Sequence, residues 1–558
     1  MPGEERVNRA GTESMKRASV LVTLFLWIAT GTVRADERSS SLDPLPESQW
    51  DRSKAAQLLR RAGFGGTPGE VDRLFALGVN GAVDWLVEYR AIPYEPAPPP
   101  VDPLLLEPLD RIKLRAMTLE QREQYLDQRR RAERRTLEEV RLWWIERMVE
   151  SPRPLEEKMT LFWHGHFTSG MREVRNALFM KEQNEFLRRR ALDNFRELLR
   201  GISRDRAMLV YLDGRNNVKA QPNENYAREL LELFTLGVGN YTEADVKAAA
   251  RAFTGWTFDQ HGFVFRWRQH DGGIKTFLGR TGRWDGDDII DIILEQPACA
   301  RFLAGKLLEF FCRPDPPRAL VERLAREIRV QKYELKPVLK TLLRSQAFYH
   351  PDSRGCLVKS PVEIVIGTLR TLGQPAADLL AVERAMAAMG QELMQPPNVK
   401  GWDGGPAWIN TATLFLRYNT VGGIIYGSGG RERGGTPIAP AGNDEVTVAE
   451  GDPQAPGSER TMSAAAGGRP RSRLERRPRP AFDALAPLRA AGISGAEEIV
   501  DFYAAHLLAG PLAPAKRERL IEYLTGPDGH FSLDEERAGD RVRTMVHLLC
   551  SAPEFQMF

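Results

Sequence analysis

Four cysteines in 558 residues are too few to frame a fold with disulfides. None of them lies in a CxxC pair, so zinc-ribbon and thioredoxin readings are excluded. The familiar catalytic signatures are missing as well. There is no GxSxG elbow, HExxH, Walker A loop, GxGxxG after a strand or CxxCH haem site. That argues against the commonest hydrolases, nucleotide enzymes and c-type cytochromes. Charge of one sign is lacking too: 78 basic residues against 75 acidic ones leave +3. A chain this balanced has no electrostatic case for nucleic acid or an anionic membrane. It has no internal repeat, and apart from one run near its start it has no apolar stretch able to span a bilayer.

That run has the parts of a secretory signal peptide. Met15-Lys16-Arg17 precedes the apolar segment Ala18–Ala29, and small and polar residues lead to Val33-x-Ala35. The pattern predicts an initiator at Met15, cleavage after Ala35 and export, with an uncleaved anchor helix as the alternative. The mature chain, Asp36–Phe558, would be soluble in the periplasm or medium, with a net charge of +1. In an oxidising compartment Cys299 and Cys312, which flank one helical segment, are the expected disulfide pair; buried free thiols are the alternative.

Periodicity makes the chain all-α, a large multi-helix domain with a minor β-hairpin. Residues 36–426 read as the main helical domain. Thr67-Pro68 starts a helix there, and long Arg- and Glu-rich helices fill 110–150. Phe263, Phe265 and Trp267 alternate with Val264 and Arg266 beside an Asp259–Gly262 turn, which predicts the hairpin. Residues 427–480, rich in Gly, Pro, Ser and Arg, read as a disordered linker or insertion. Residues 481–558 read as a C-terminal helical segment packing on the main domain.

Three segments combine polar residues with aromatics. In Leu161-Phe-Trp-His-Gly-His-Phe-Thr168, a helix stop near Gly165 would let His164 and His166 converge on a metal ion; two core-satisfying histidines are the alternative. Between Pro222 and Gly237, Asn223 can cap a helix and Gly237 can close it. Asn225, Arg228, Glu229 and Glu232 then share one stripe opposite Tyr226, Leu230, Leu233 and Phe234. Such carboxylates suit an acid/base pair or, with Glu224, a metal site, and Arg228 can equally neutralise them. In the third segment Thr242 and Asp245 form a capping box, which leaves Arg251 and Thr254-Gly255-Trp256 for a binding role. Downstream, His270-Asp271-Gly272-Gly273 forms a glycine-rich loop in which His270 is a ligand or a turn residue held by Asp271.

Several longer blocks resemble the hallmarks of one family. They are Leu59-Arg-Arg-Ala-Gly-Phe-Gly65, Leu161-Phe-Trp-His-Gly-His-Phe167, Pro222-Asn-Glu-Asn-Tyr-Ala-Arg-Glu-Leu230, Ala250-Arg-Ala-Phe-Thr-Gly-Trp256, Lys359-Ser-Pro-Val362, Pro396-Pro-Asn-Val-Lys-Gly-Trp402 and Ser551-Ala-Pro-Glu-Phe-Gln556. Together they make nearly the whole mature chain similar to the bacterial family catalogued as "domain of unknown function 1800". The resemblance implies helical architecture, bacterial export and an exported protein partner from a sulfatase-like family. It brings no catalytic residues with it.

Two functions fit these residues. One is an enzyme, hydrolase or oxidoreductase, with a divalent metal held by His164, His166, Glu224 and His270, or with an acid/base site of Arg228, Glu229, Glu232 and Asp271. Asn223, Asn225, Arg251, Trp256 and Trp402 would bind the substrate, the two tryptophans serving as sugar platforms in a glycan-active variant. The other is a non-catalytic scaffold for a partner exported protein or a cell-surface glycan. Convergence of these segments in the fold favours the first, and scatter the second.

Overall fold

The computed structural model of the protein describes residues 39–107, 111–428, 478–527 and 529–558. The expected signal peptide at 1–35 and nearly all of the expected linker at 427–480 lie outside them. The described chain is predominantly helical, and its β structure is confined to two antiparallel two-stranded hairpins. No described helix is long and apolar enough to cross a membrane.

Local capping chemistry sets the helix starts. The Thr67 hydroxyl accepts the Glu70 N–H, the Glu70 carboxylate accepts the Thr67 N–H, and Pro68 opens the helix Pro68–Ala76. Thr242 and Asp245 repeat this reciprocal pair before Glu243–Ala252. Beyond the proline-rich stretch 93–108, the charged region forms Arg111–Ala116 and the 32-residue helix Leu119–Glu150.

Buried apolar side chains form two clusters, and the helix Pro154–His166 lies between them. Leu155, Met159, Phe162 and Trp163 join the first cluster, with Leu58, Leu86, Phe234 and Leu307. Leu161 joins the second, with Trp144, Val365 and Ile424. Phe482, Tyr503, Val546 and Phe555 of the C-terminal segment belong to that second cluster as well. Every residue of Pro154–His166 except Gly165 is buried. A helix enclosed all round must satisfy each polar group it carries, and this one carries Glu156, Glu157 and Lys158.

Three local expectations are corrected. The central helix does not stop at Gly165 but runs on to His166, because packing on every side outweighs the low helix propensity of one glycine. Gly401, at φ +89°, comes so close that a Cβ there would lie 2.6 Å from the Gly165 carbonyl oxygen. Cys299 and Cys312 are free, as are Cys356 and Cys550. The first two sit at opposite ends of the continuous helix Pro297–Phe311, about 20 Å apart along its axis, which no disulfide can bridge.

The third correction concerns the β structure. The expected hairpin is present, Trp256–Asp259 pairing with Gly262–Phe265, but Trp267 starts a 3-10 turn instead of extending the strand. A second hairpin, Lys275–Phe277 with Arg280–Gly282, turns through Leu278 and Gly279, both at positive φ as a two-residue type I′ loop requires. Leucine is rare in that conformation, so the sequence carries little sign of this turn.

Candidate functional site

The two histidines at the end of the central helix face different neighbours. His164 Nε2 accepts the Met394 N–H at 3.1 Å. His166 Nε2 lies 3.0 Å from the Phe234 carbonyl, which can only accept, so this nitrogen carries the proton. In a continuous helix, residues two apart point about 200° away from each other, so the expected convergence on a metal ion does not occur. Burial, and then Arg141, lowers His164 to about 4; burial, and then Lys306, lowers His166 to about 3. Both rings are therefore neutral near pH 7.

These histidines brace two functional-looking segments. Met394, at φ +59°, opens the loop Gln395–Trp402, and Trp402 lies 5.7 Å from the His164 ring. The loop is held further by the Thr168 hydroxyl, which donates to the Val399 carbonyl, and by the Arg172 N–H, which donates to Gln395 Oε1 at 2.9 Å. On the other side, His166 satisfies a carbonyl of a π-helical turn, Leu230–Thr235. Such turns widen a helix by one residue and often accompany functional sites.

That turn continues the helix Asn225–Glu229, whose cap position is taken by Glu224 and not by the expected Asn223, although Asn223 Oδ1 accepts the Asn225 N–H at 2.9 Å. Tyr226, Leu230 and Phe234 face the core, while Asn225 is exposed and Arg228, Glu229 and Glu232 are half-buried. Arg228 is engaged by Glu224 at 3.0 Å and Glu243 at 2.6 Å. Glu229 is raised above its ordinary value by burial and then by Glu232, with Arg228 opposing. Glu232 accepts the Tyr241 hydroxyl at 3.0 Å. Tyr211 adjoins the patch: burial, then Glu173 and Glu229, push its hydroxyl up to about 12.

A second polar cluster gathers around Asn217. Its side chain accepts the Asn223 N–H and donates to the Ala250 carbonyl, and its own carbonyl accepts the Gly255 N–H, each at 2.9 Å. Arg251 holds Asp271 through contacts of 2.6 and 3.3 Å, and these hydrogen bonds pull the carboxyl down to about 2. His270 Nδ1 meets the Thr254 carbonyl at 3.0 Å, so Thr254 holds this ring and Asp271 does not.

The fold therefore links Asn223 to the Arg251–Asp271–His270 group through Asn217, and places Glu229 beside Glu232. It does not gather His164, His166, Glu224 and His270, each of which has its own partners. Among the described residues no group of three or more His, Cys, Asp or Glu side chains is arranged to hold a metal ion. Trp256, 4% exposed and packed on Phe253 and Phe263, cannot serve as a sugar platform. On this hairpin the exposed aromatics are Phe265 at 43% and Trp267, just beyond its second strand, at 69%. Their alternation in sequence was the available signal, although it pointed to strand structure.

A predominantly helical protein with two small hairpins, a half-buried carboxyl pair and an arginine–aspartate cluster is the class defined by this geometry. The family described as "Protein of unknown function (DUF1800)" matches residues 57–557, and the chain belongs to it. No curated protein and no solved structure matches the chain.

Proposed function

We propose that this is an exported enzyme in which Glu229 and Glu232 form an acid/base pair for hydrolysis. Glu229 is the proton donor to a leaving oxygen, and Glu232, oriented by Tyr241, is the base that takes a proton from water. The observation that carries this reading is that Glu229 and Glu232 share one half-buried helix face, where burial and then the neighbouring Glu232 charge hold the Glu229 carboxyl above its ordinary value. Proton transfer is preferred over a metal-assisted route because the histidines and glutamates have separate partners. The test is a screen of the full mature chain against ester and glycoside substrates, which both expel an oxygen leaving group. Glu229→Gln and Glu232→Gln should each slow turnover by about 10²-fold or more. Full turnover in either variant refutes the pairing.

A second reading, glycan capture without catalysis, is favoured by the exposed rings of Phe265 and Trp267 beside His270 and the Arg251–Asp271 pair. Polysaccharide affinity electrophoresis separates the two: Trp267→Ala abolishes retardation if the rings are the platform and leaves it unchanged if they are not.

A further inference from the structure

The block Leu59–Gly65, the block Lys359–Val362 and the block Ser551–Gln556 meet around a small cavity that the preceding reading does not use. Arg60, Phe64, Lys359, Glu363, Leu507, Phe555 and Phe558 are among its walls. Its volume is about 10 Å³, room for one particle the size of a water molecule. Cations crowd this region. Lys158 and Arg61 are fully buried, and each lies over the Phe558 ring, at 5.2 and 4.6 Å. Arg417, also fully buried, donates to the Lys359 carbonyl at 2.7 Å.

Against these groups stands one carboxylate side chain of the cluster, Glu363, and it is already committed. It takes the Lys158 ammonium and the Ser360 N–H. The ammonium of Lys359, a residue 8% exposed, makes no hydrogen bond or ion pair among the described residues and rests 3.8 Å from the centre of the Phe555 ring. Among the described residues Arg61 Nε and Nη1 and Arg417 Nε are buried donors without acceptors; neither residue lines the cavity, so these arginines act on it through their field. Burying several like charges with spare donors is costly for each uncompensated ion, and an anion is a group that relieves it.

We propose that this cavity is a halide site, in which a chloride ion is held by the Lys359 ammonium within the field of Arg60, Arg61 and Arg417. Size favours a monatomic anion, since a carboxylate or phosphate exceeds the space of one water unless Phe555 moves. Chemistry favours it too, because the Lys359 ammonium, a wall of the cavity, is a donor only. Burial, then Arg60, draws the Lys359 ammonium down to about 7, the response expected of a lysine whose counter-ion is not protein-borne. The site is independent of the Glu229–Glu232 reading and survives its failure.

The experiment is a chloride titration of the full mature chain at constant ionic strength, with gluconate as the balancing anion, followed by the width of the chloride NMR line. Saturable excess broadening is expected in the wild type, and its loss in Lys359→Met, which removes the charge while keeping the length of the side chain. Equal broadening in the two proteins overturns the proposal. A bromide-soaked crystal of the wild type decides the matter should the variant not fold. An anomalous peak beside Lys359 Nζ supports the site, and a cavity without one refutes it.

Discussion

Glu157→Leu tests the account of the central helix most directly. Glu157 is fully buried and receives Arg147 Nε at 2.7 Å and Arg188 Nε at 2.9 Å, with Arg188 Nη2 at 3.0 Å. Arg147 comes from Leu119–Glu150 and Arg188 from Ala177–Arg189, so one carboxylate ties three helices together. Removing it leaves Arg147 with Glu156 at 3.3 Å, whereas Arg188 loses its only carboxylate among the described residues. Breaking a buried pair from one side costs about 3–5 kcal/mol, and the stranded Arg188 places this variant at the upper end of that range.

Arg188→Leu should cost less, since Glu157 keeps Arg147. The double variant should fall short of the sum of the two by at least ~2 kcal/mol, as coupled neighbours do. Urea unfolding followed by tryptophan fluorescence measures all three. A Glu157→Leu cost below about 1 kcal/mol, or additive behaviour in the double variant, would refute the reasoning. The sign with pH follows as well. Burial alone would raise this carboxyl, but Arg188 and then Arg147 outweigh it and hold it below its ordinary value. The stability it contributes is therefore present at neutral pH and lost as pH falls through that lowered value, a loss the leucine variant cannot show.

Two further outcomes are expected. Burial holds His164 at about 4, His166 at about 3 and His506 at about 4, so the stability tied to their neutral forms is complete above the unfolded value of about 6.5 and declines as pH falls toward the folded values. The thermal midpoint should drop between about pH 6.5 and 5, before ordinary carboxylates titrate, and a flat profile there would count against buried neutral rings. Gly255→Ala should destabilise the first hairpin, because Gly255 has φ +82° and an added Cβ would lie 2.6 Å from the Arg266 carbonyl oxygen. A penalty of at least ~1–2 kcal/mol is expected in the same urea assay, and a neutral substitution would show that the hairpin is not docked this way.

What the sequence could and could not disclose follows from the range of each interaction. Thr67 with Glu70 and Thr242 with Asp245 act across three residues, so their caps were readable directly. The polar face of Arg228, Glu229 and Glu232 was readable from the helical repeat, but the π-turn that follows it was not, because the group that donates to its free carbonyl, His166, lies 68 residues away. The HxH pair misled for the same reason. Two histidines in a short motif suggest a shared ligand when their partners are unknown, and here the partners are two backbone groups on opposite sides of a buried helix. Lys158 escaped notice, and Lys359 stood out only as part of a family block, because a charged residue in sequence reads as surface by default. Only the closure of both apolar clusters around Pro154–His166 reverses that default, and once it is reversed the excess of cations over Glu363 turns from a surface detail into a demand for a counter-ion.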